Sequence, residues 1–223
     1  MEYRIENRPA FTTLHIELNA GEQVRAEAGA MVAMTPSVTL EAKSSGKGFL
    51  GSIKAAVGGE SFFATLFTAQ DNGEITLAPT LLGDIIDMQL NGNSIYAQGG
   101  SYLAGHKDLQ ISTSGSMKAL ISGEGLFLQK ITGAGHLFLN SYGSIIEREL
   151  KPGERYVVDT GHILAFEDTI HYQVKKAAKG IFSTLASGEG LVCEYEGPGK
   201  IWLQSRNLSP FAKLIASYLP SSR

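Results

Sequence analysis

The chain has 223 residues, of which 43% are hydrophobic and 18% are charged, with 26 glycines and a net charge of −3 at pH 7. This composition excludes a disordered chain, and the mildly acidic balance excludes an overall basic surface for nucleic acid or anionic lipid. The single cysteine, Cys193, cannot form an intrachain disulfide, and the apolar run around it predicts a buried thiol in a reducing compartment. No segment reaches the length of a membrane span, so we predict a cytoplasmic protein.

Two short patterns each occur three times, in the same order along the chain. The first places an apolar residue, a polar step, glycine and an apolar run ending in alanine at VRAEAGAMVAM (from Val24), IYAQGGSYLAG (from Ile95) and YVVDTGHILAF (from Tyr156). The second is GGESFF (from Gly58), SGEGLF (from Ser122) and SGEGLV (from Ser187). The glycines of the first pattern, Gly29, Gly100 and Gly161, are 71 and 61 residues apart. Such a period is typical of a small β-rich module repeated around an axis.

Alternating apolar and polar residues predict strands from one end of the chain to the other. Six such segments are SVTLEA (37–42), GEITLAP (73–79), DLQIST (108–113), HLFLNS (136–141), RYVVDT (155–160) and KIWLQS (200–205). Turn-forming residues at 71–73, 91–93 and 197–199 predict three hairpin loops. We therefore predict an all-β single domain built from three repeats, at about residues 18–80, 81–144 and 150–207.

The pattern changes after Asn207. Ser209 can cap a helix, Pro210 suits its first turn, and apolar residues then recur at helical spacing up to Leu219. This predicts a short amphipathic helix over about 209–219, packed on the barrel or on a neighbouring subunit.

An apolar connection lies between the two patterns in each repeat, and the longest is GFLGSIKAAVGG (48–59). As a surface loop it would expose Phe49, Leu50, Ile53 and Val57, which makes it a candidate interaction loop for a partner protein, a lipid, a ligand or another subunit. Alternatively, the loop lies over the barrel mouth as a lid or packs against another subunit, and burial in a homo-oligomer is the interpretation we favour.

Glutamates recur in the second pattern at Glu60, Glu124 and Glu189. Around a pseudo-threefold axis these candidate symmetric carboxylates could converge on a cation or a positively charged group. The alternative is a glutamate that starts a strand and stays in solvent. Polar residues also precede the repeated glycines, at Glu27, Gln98 and Asp159, where a side chain that accepts backbone N–H groups is the ordinary explanation.

Catalytic and cofactor motifs are absent from the sequence. GKGFLG (46–51) matches a dinucleotide-binding fingerprint but lacks the helix that the fingerprint requires. His162 and His171 are too far apart for a compact metal site, even with Glu167 and Asp168 nearby. We therefore predict no catalytic residues, no metal and no cofactor, and a protein that is not an enzyme.

The chain resembles the family related to the mitochondrial-biogenesis protein named for altered inheritance of mitochondria. The resemblance rests on AGAMVAM, GFLGSIKAAVGGESFF, SGEGLFL and SGEGLVCEYEGPGKIWLQSRN and covers nearly the whole chain. It implies β-sandwich modules of the double-stranded β-helix class, similar to the tryptophan RNA-binding attenuator protein, repeated within one chain. It implies no established catalytic activity.

Three functions follow as hypotheses. The first is a non-enzymatic, oligomeric β-scaffold in protein or membrane-associated assembly. The second is a small-ligand-binding module in which His162, Tyr102 or Trp202 orients the ligand. The third is an RNA-binding module, for which Lys175, Lys176 and Lys179 form the one basic cluster, without aromatic residues interleaved for base stacking.

Overall fold

The computed structural model is mostly β-structure with one short C-terminal helix, and it describes residues 1–44, 63–114, 127–176 and 191–219. Strands in these ranges are β1 (Glu2–Glu6), β2 (Thr13–Leu18), β3 (Gln23–Glu27), β4 (Met31–Met34), β5 (Val38–Ser44), β6 (Phe63–Ala69), β7 (Gly73–Leu77), β8 (Ile85–Gln98), β9 (Tyr102–His106), β10 (Gln110–Ser114), β11 (Leu128–Asn140), β12 (Ile145–Leu150), β13 (Arg155–Asp159), β14 (Ile163–Glu167), β15 (His171–Lys176), β16 (Leu191–Glu196) and β17 (Gly199–Gln204). A 3-10 turn (Thr160–His162) precedes β14, and helix α1 spans Leu208–Tyr218.

The predicted strands are confirmed, since each of the six alternating segments overlaps a strand, to within two residues at its ends. Residues 71–73 and 197–199 connect consecutive strands, β6 to β7 and β16 to β17, but neither is a hairpin loop, because the two strands that each connects belong to different sheets. The prediction at 91–93 is wrong, because these residues lie inside the 14-residue strand β8. Gly92 adopts a φ of +94°, and the partner strand β11 shifts register opposite it, between Thr132 and Ala134. The two strands therefore bend at the same level and continue together.

The strands pair antiparallel in three sheets. The first has the order β1-β2-β7-β4, and the second has the order β13-β16-β15. The third runs β12-β17-β14-β8-β11-β9-β3-β6-β5, with β10 paired to β11. We call β1 to β7 the N-terminal group, β8 to β11 the middle group and β12 to β17 the C-terminal group. The long sheet contains strands of all three groups.

Two strand pairs carry the long sheet from one group to the next. Strand β9 of the middle group pairs with β3 of the N-terminal group, and β14 of the C-terminal group pairs with β8 of the middle group. We call these pairs the first and second junctions. Outside the two junctions, backbones approach closely at Gly83, where an added Cβ would lie 1.9 Å from the carbonyl oxygen of Ser141. Only glycine fits there without displacing that backbone.

The apolar core is divided into three clusters, which follow the three groups. The N-terminal cluster contains Leu14, Ile16 and Phe67, and the middle cluster contains Tyr102, Leu137 and Trp202. The C-terminal cluster contains Phe166, Cys193 and Tyr195. Alternation of side chains along strands such as β2 and β3 sends one face of each into these clusters, whereas every residue of β15 is exposed.

The predicted C-terminal helix is present and spans Leu208–Tyr218, one residue earlier at each end than predicted, and its cap is Asn207 and not Ser209. The side chain of its N-cap, Asn207, accepts the backbone N–H of Ser209 at 3.0 Å. None of its residues is buried, and a ring contact of Phe211 with Tyr142, at 6.1 Å between centroids, links it to the connection between β11 and β12. Burial against its own chain, the first of the two predicted positions, is therefore not observed. Within the described ranges, no helix is long and apolar enough to cross a membrane.

Candidate functional site: exposed apolar surfaces

The candidate residues of the apolar loop and of the symmetric carboxylates lie outside the described residues. They are Phe49, Leu50, Ile53, Val57, Glu60, Glu124 and Glu189, and the segment GKGFLG (46–51) lies there too. Their roles stay predictions.

Polar residues before the repeated glycines have different surroundings. The Asp159 carboxylate accepts the backbone N–H of Gly161 at 2.8 Å, as predicted for a structural acceptor. Gln98 accepts from the side chain of Gln204 at 3.5 Å. Glu27 is half-buried, and the loss of hydration raises the pKa of its carboxyl group. The structural explanation is thus confirmed at Asp159.

The two histidines considered for a metal site do not meet. Nδ1 of His162 lies 2.8 Å from the carbonyl oxygen of Gln204, whereas His171 is exposed on β15. Across the part of the chain that the structure describes, no three His, Cys, Asp or Glu side chains form a group that could hold a metal ion.

Sequence reasoning missed a hydrogen-bonded cluster of Tyr3, Asp87 and His136. The Tyr3 hydroxyl donates to one carboxylate oxygen of Asp87 at 2.8 Å, and Nδ1 of His136 lies 2.9 Å from the other. Burial and the neighbouring carboxylate raise the pKa of Tyr3 to about 12, so this phenol stays protonated at neutral pH. The cluster therefore holds β1 against β8 and β11 and supplies no activated nucleophile.

Tyr102 and Trp202 are both buried in the middle cluster. Tyr102 is 2% exposed and donates its hydroxyl to the carbonyl oxygen of Arg25 at 2.9 Å. Trp202 is 6% exposed and donates its indole N–H to Glu147 at 2.9 Å. Both polar ends are thus satisfied within the chain, and His162 does not join them.

An open groove of about 390 Å³ lies beside β2 and β7. Its acidic residues are Glu2, Glu17 and Glu74. The guanidinium group of Arg4 pairs with both Glu17 and Glu74, so part of the negative charge is neutralised by the chain itself.

The thiol of Cys193 is fully buried, as predicted, and burial raises its pKa to about 11. A thiol held in its protonated form is a poor nucleophile.

The basic cluster predicted from the sequence has less free positive charge than its three lysines suggest, because Lys175 pairs with Glu194 at 2.6 Å. Lys176 is exposed, and Lys179 lies outside the described residues.

Large apolar side chains are exposed on several described elements, on β5, β12 and β15 as well as on α1, β4 and β13. On α1, Phe211 is 46% exposed, Leu214 53% and Tyr218 80%. On β4, Met31 is 42% and Val32 60% exposed, and on β13 Val157 is 52% exposed. These surfaces are the candidate functional site, because exposed apolar groups favour contact with a partner.

Comparison with known proteins gives the same family as the sequence motifs. Residues 3–206 match the family described as Mitochondrial biogenesis AIM24. The chain belongs to this family. A relative in Streptococcus pyogenes serotype M6, named as an uncharacterized protein, is 33% identical over 231 residues, which cover 100% of this chain and 92% of the relative.

A solved structure is also similar to this member of the AIM24 family. It is the crystal structure of a Streptococcus pyogenes protein, which is 31% identical and superimposes with a TM-score of 0.83 over 98% of this chain and 99% of that one. Neither name states a biochemical activity, so function must be argued from the surfaces of this chain.

Proposed function

We propose that this AIM24-family protein is a non-enzymatic, oligomeric β-scaffold that acts in the assembly of protein or membrane-associated complexes. The observation that carries the proposal is helix α1. Six apolar residues of the helix and its C-cap are between 45% and 80% exposed: Leu208, Phe211, Leu214, Ile215, Tyr218 and Leu219. A solvated helix with this face has no packing energy to hold it, since helices in proteins are stabilised mainly by burying an apolar face. A subunit or a partner protein would supply that burial.

The surroundings of the polar residues support the non-enzymatic part of the proposal. Tyr3, Asp87 and His136 bond to each other, and Trp202 bonds to Glu147. These hydrogen bonds hold strands together. A cytoplasmic location, with Cys193 free and buried, is part of the same proposal.

We also infer that the three groups repeat one plan of six strands, in line with the repeated double-stranded β-helix module that the family resemblance implies. The pairings that support this are β2-β7-β4 with β3-β6-β5 in the N-terminal group and β12-β17-β14 with β13-β16-β15 in the C-terminal group. In the middle group, β8 and β11 each take the place of two strands, and β9 and β10 pair with β11. In a scaffold of this kind, a further repeat would join when one of its strands pairs with an exposed edge strand.

Helix α1 gives a direct test of the scaffold. Replacing Leu214 with aspartate puts a charge on the apolar face, so the oligomer should dissociate. Ala216→Asp is the matched control, because helical spacing places Ala216 on the opposite face. Native mass spectrometry and light scattering on the full chain would measure subunit number.

A defined oligomer that is lost in Leu214→Asp and kept in Ala216→Asp supports the proposal. An unsubstituted protein that stays monomeric at tens of micromolar contradicts it. A reproducible small mass carried by the protein would instead favour the ligand-binding hypothesis.

A further inference from the structure

The first and second junctions use the same register. In the first, Ala26 of β3 lies opposite Ala104 of β9, and in the second, Ala97 of β8 lies opposite Ala165 of β14. Ala26 and Ala97 each come three residues before a repeated glycine, Gly29 and Gly100. Ala104 and Ala165 each come four residues after one, Gly100 and Gly161. One rule of pairing therefore describes both junctions.

Each junction also completes the core of the preceding group. Leu103 and Ala104 of β9 are 0% exposed and belong to the N-terminal cluster. Leu164 and Ala165 of β14 are 0% and 1% exposed and belong to the middle cluster. The incoming strand thus contributes an apolar pair to the cluster of the group that it joins.

Strand β4 has the same place relative to its glycine, yet it is not covered. Its counterparts of the buried pairs are Val32, which is 60% exposed, and Ala33, which is also exposed. Among the described strands, β4 pairs with β7 on one side and ends its sheet on the other.

Strand β13, in the C-terminal group, is an edge strand at the position where β3 and β8 each pair with a strand of the next group. It pairs with β16 and ends its sheet, and Val157 on it is 52% exposed. The C-terminal cluster contains Val158 of β13 and includes no residue of β4. Among the described strands, β4 is thus a strand that could join a neighbouring group but does not, and β13 is an edge that such a strand could cover, and the two surfaces are different.

We propose that β13 of one copy pairs antiparallel with β4 of a second copy. Val32 and Ala33 of the second copy would then complete the C-terminal cluster of the first copy, as β9 and β14 complete the N-terminal and middle clusters within the chain. The rule of the two junctions sets the register: Val158 opposite Ala33, Val157 opposite Met34 and Tyr156 opposite Thr35. This inference rests on the proposed oligomeric scaffold and names its interface. Because the two surfaces are different, the contact is head-to-tail, and repeated contacts close a ring or extend a filament.

Two further observations favour a second copy as the occupant. An edge strand carries unpaired backbone N–H and C=O groups, and β4 (MVAM) has no charged side chain to repel another strand. Helix α1 also begins beside the acceptor edge, since Nδ2 of its N-cap Asn207 lies 3.4 Å from Oδ1 of Asp159 at the end of β13. A copy docked on β13 would therefore lie next to the apolar helix.

Disulfide cross-linking tests the register directly. Residues opposite each other in an antiparallel pair have Cα atoms about 4.5–5.5 Å apart, a separation that a disulfide can bridge. Met34→Cys and Val157→Cys, prepared as separate variants and mixed, should give a covalent dimer under mild oxidation, and neither should do so alone. Ile146→Cys is the matched control for Val157, because Ile146 is 51% exposed on another sheet edge, β12. It should not cross-link to Met34→Cys.

The double variant Met34→Cys/Val157→Cys should form a ladder of covalent multimers on a denaturing gel. A cross-linked monomer in place of the ladder would overturn the proposal, because it would mean that the chain closes on itself. Val32→Lys adds a second readout, with the oligomer expected to fall to single chains in native mass spectrometry while Ile146→Lys leaves it intact. An unsubstituted oligomer without cross-links overturns the interface and leaves the scaffold standing, whereas an unsubstituted monomer overturns both.

Discussion

Strands β4 and β12 are both edges of their sheets, and they differ in charge far more than in exposure. Val32 on β4 is 60% exposed and Ile146 on β12 is 51% exposed. Strand β12 (IIEREL), however, carries three charged side chains, whereas β4 (MVAM) carries none. On β12, Glu147 pairs with Lys200 at 2.7 Å, and Arg148 pairs with Glu154 at 2.8 Å and stacks over the ring of Tyr156.

The difference shows two ways of treating a strand edge. Proteins commonly protect an exposed edge with charged side chains, which make the addition of another strand unfavourable. Strand β12 fits that description, because its charges are fixed by ion pairs beside the edge. Strand β4 lacks the protection, which is expected of an edge that another strand covers.

The largest expected effect is a difference in the free energy of unfolding between two lysine variants. One places the lysine in a strand that is covered on both sides, and the other places it in β4, which is an edge. Leu164 on β14 is fully buried, and Val32 holds the corresponding position on β4. Leu164→Lys would bury a charge without a partner, and we expect it to lower the free energy of unfolding by more than about 3 kcal/mol. Val32→Lys should change it by less than about 0.5 kcal/mol when both variants are monomeric.

Urea unfolding followed by the fluorescence of Trp202 would measure both changes at a low protein concentration. Leu164→Met, which keeps an apolar side chain of similar volume, is the control for the site, and its cost should stay below about 1.5 kcal/mol. If Val32→Lys were as destabilising as Leu164→Lys, β4 would be covered by its own chain, and the contrast between the two edges would disappear.

A second experiment converts the protected edge into an unprotected one. Replacing Arg148 and Glu149 with threonine leaves β12 with a strand-forming, nearly uncharged edge. We expect this double variant to form additional, concentration-dependent assemblies, because the repulsion that excludes a new strand is gone. Sedimentation velocity would detect them as species larger than those of the unsubstituted protein.

Lys107→Thr is the control for the loss of surface charge, since Lys107 is exposed in a turn between β9 and β10. It should sediment like the unsubstituted protein. Equal sedimentation of the β12 double variant and this control would show that the charges on β12 do not protect the edge.

Much of the framework follows from the sequence, because strand alternation and turn residues are local signals. The segments that became β5, β7, β10, β13 and β17 and the start of α1 all follow from such signals. The bend at Gly92 did not, because asparagine and glycine between apolar runs predict a reversal, and only the partner strand β11 shows that the chain continues. Local sequence cannot report what a distant strand does.

The uncovered edges could not be predicted for the same reason. The three copies AMVAM, SYLAG and HILAF are similar in pattern, yet the last two are buried by pairing with an earlier strand and the first is exposed. Exposure here depends on which copy comes first in the chain. The cluster of Tyr3, Asp87 and His136 was also missed, since its residues are separated by 84 and 49 positions and no motif connects them.

The smallest effect concerns the ion pair that fixes the charge on β12. Glu147→Gln removes the charge that faces Lys200 and keeps an oxygen that can accept the indole N–H of Trp202. Because both side chains of the ion pair are more than a third exposed, we expect a loss of only about 0.2–1 kcal/mol in the free energy of unfolding at pH 7. Lys200→Met, which removes the other partner, should cost about the same, within about 0.5 kcal/mol.

The pH dependence gives that small effect a distinct signature. The hydrogen bond from Lys200, together with that from Trp202, holds the pKa of Glu147 below its ordinary value. A carboxyl group whose pKa is lowered by folding stabilises the protein above its unfolded pKa, about 4.3, and loses that contribution as the pH falls through the folded value. The difference in unfolding free energy between the unsubstituted protein and Glu147→Gln should therefore be present at pH 7 and shrink below about pH 4. A difference that stayed constant over this range would mean that the ion pair adds nothing, and that the charges of β12 act only by repelling another strand.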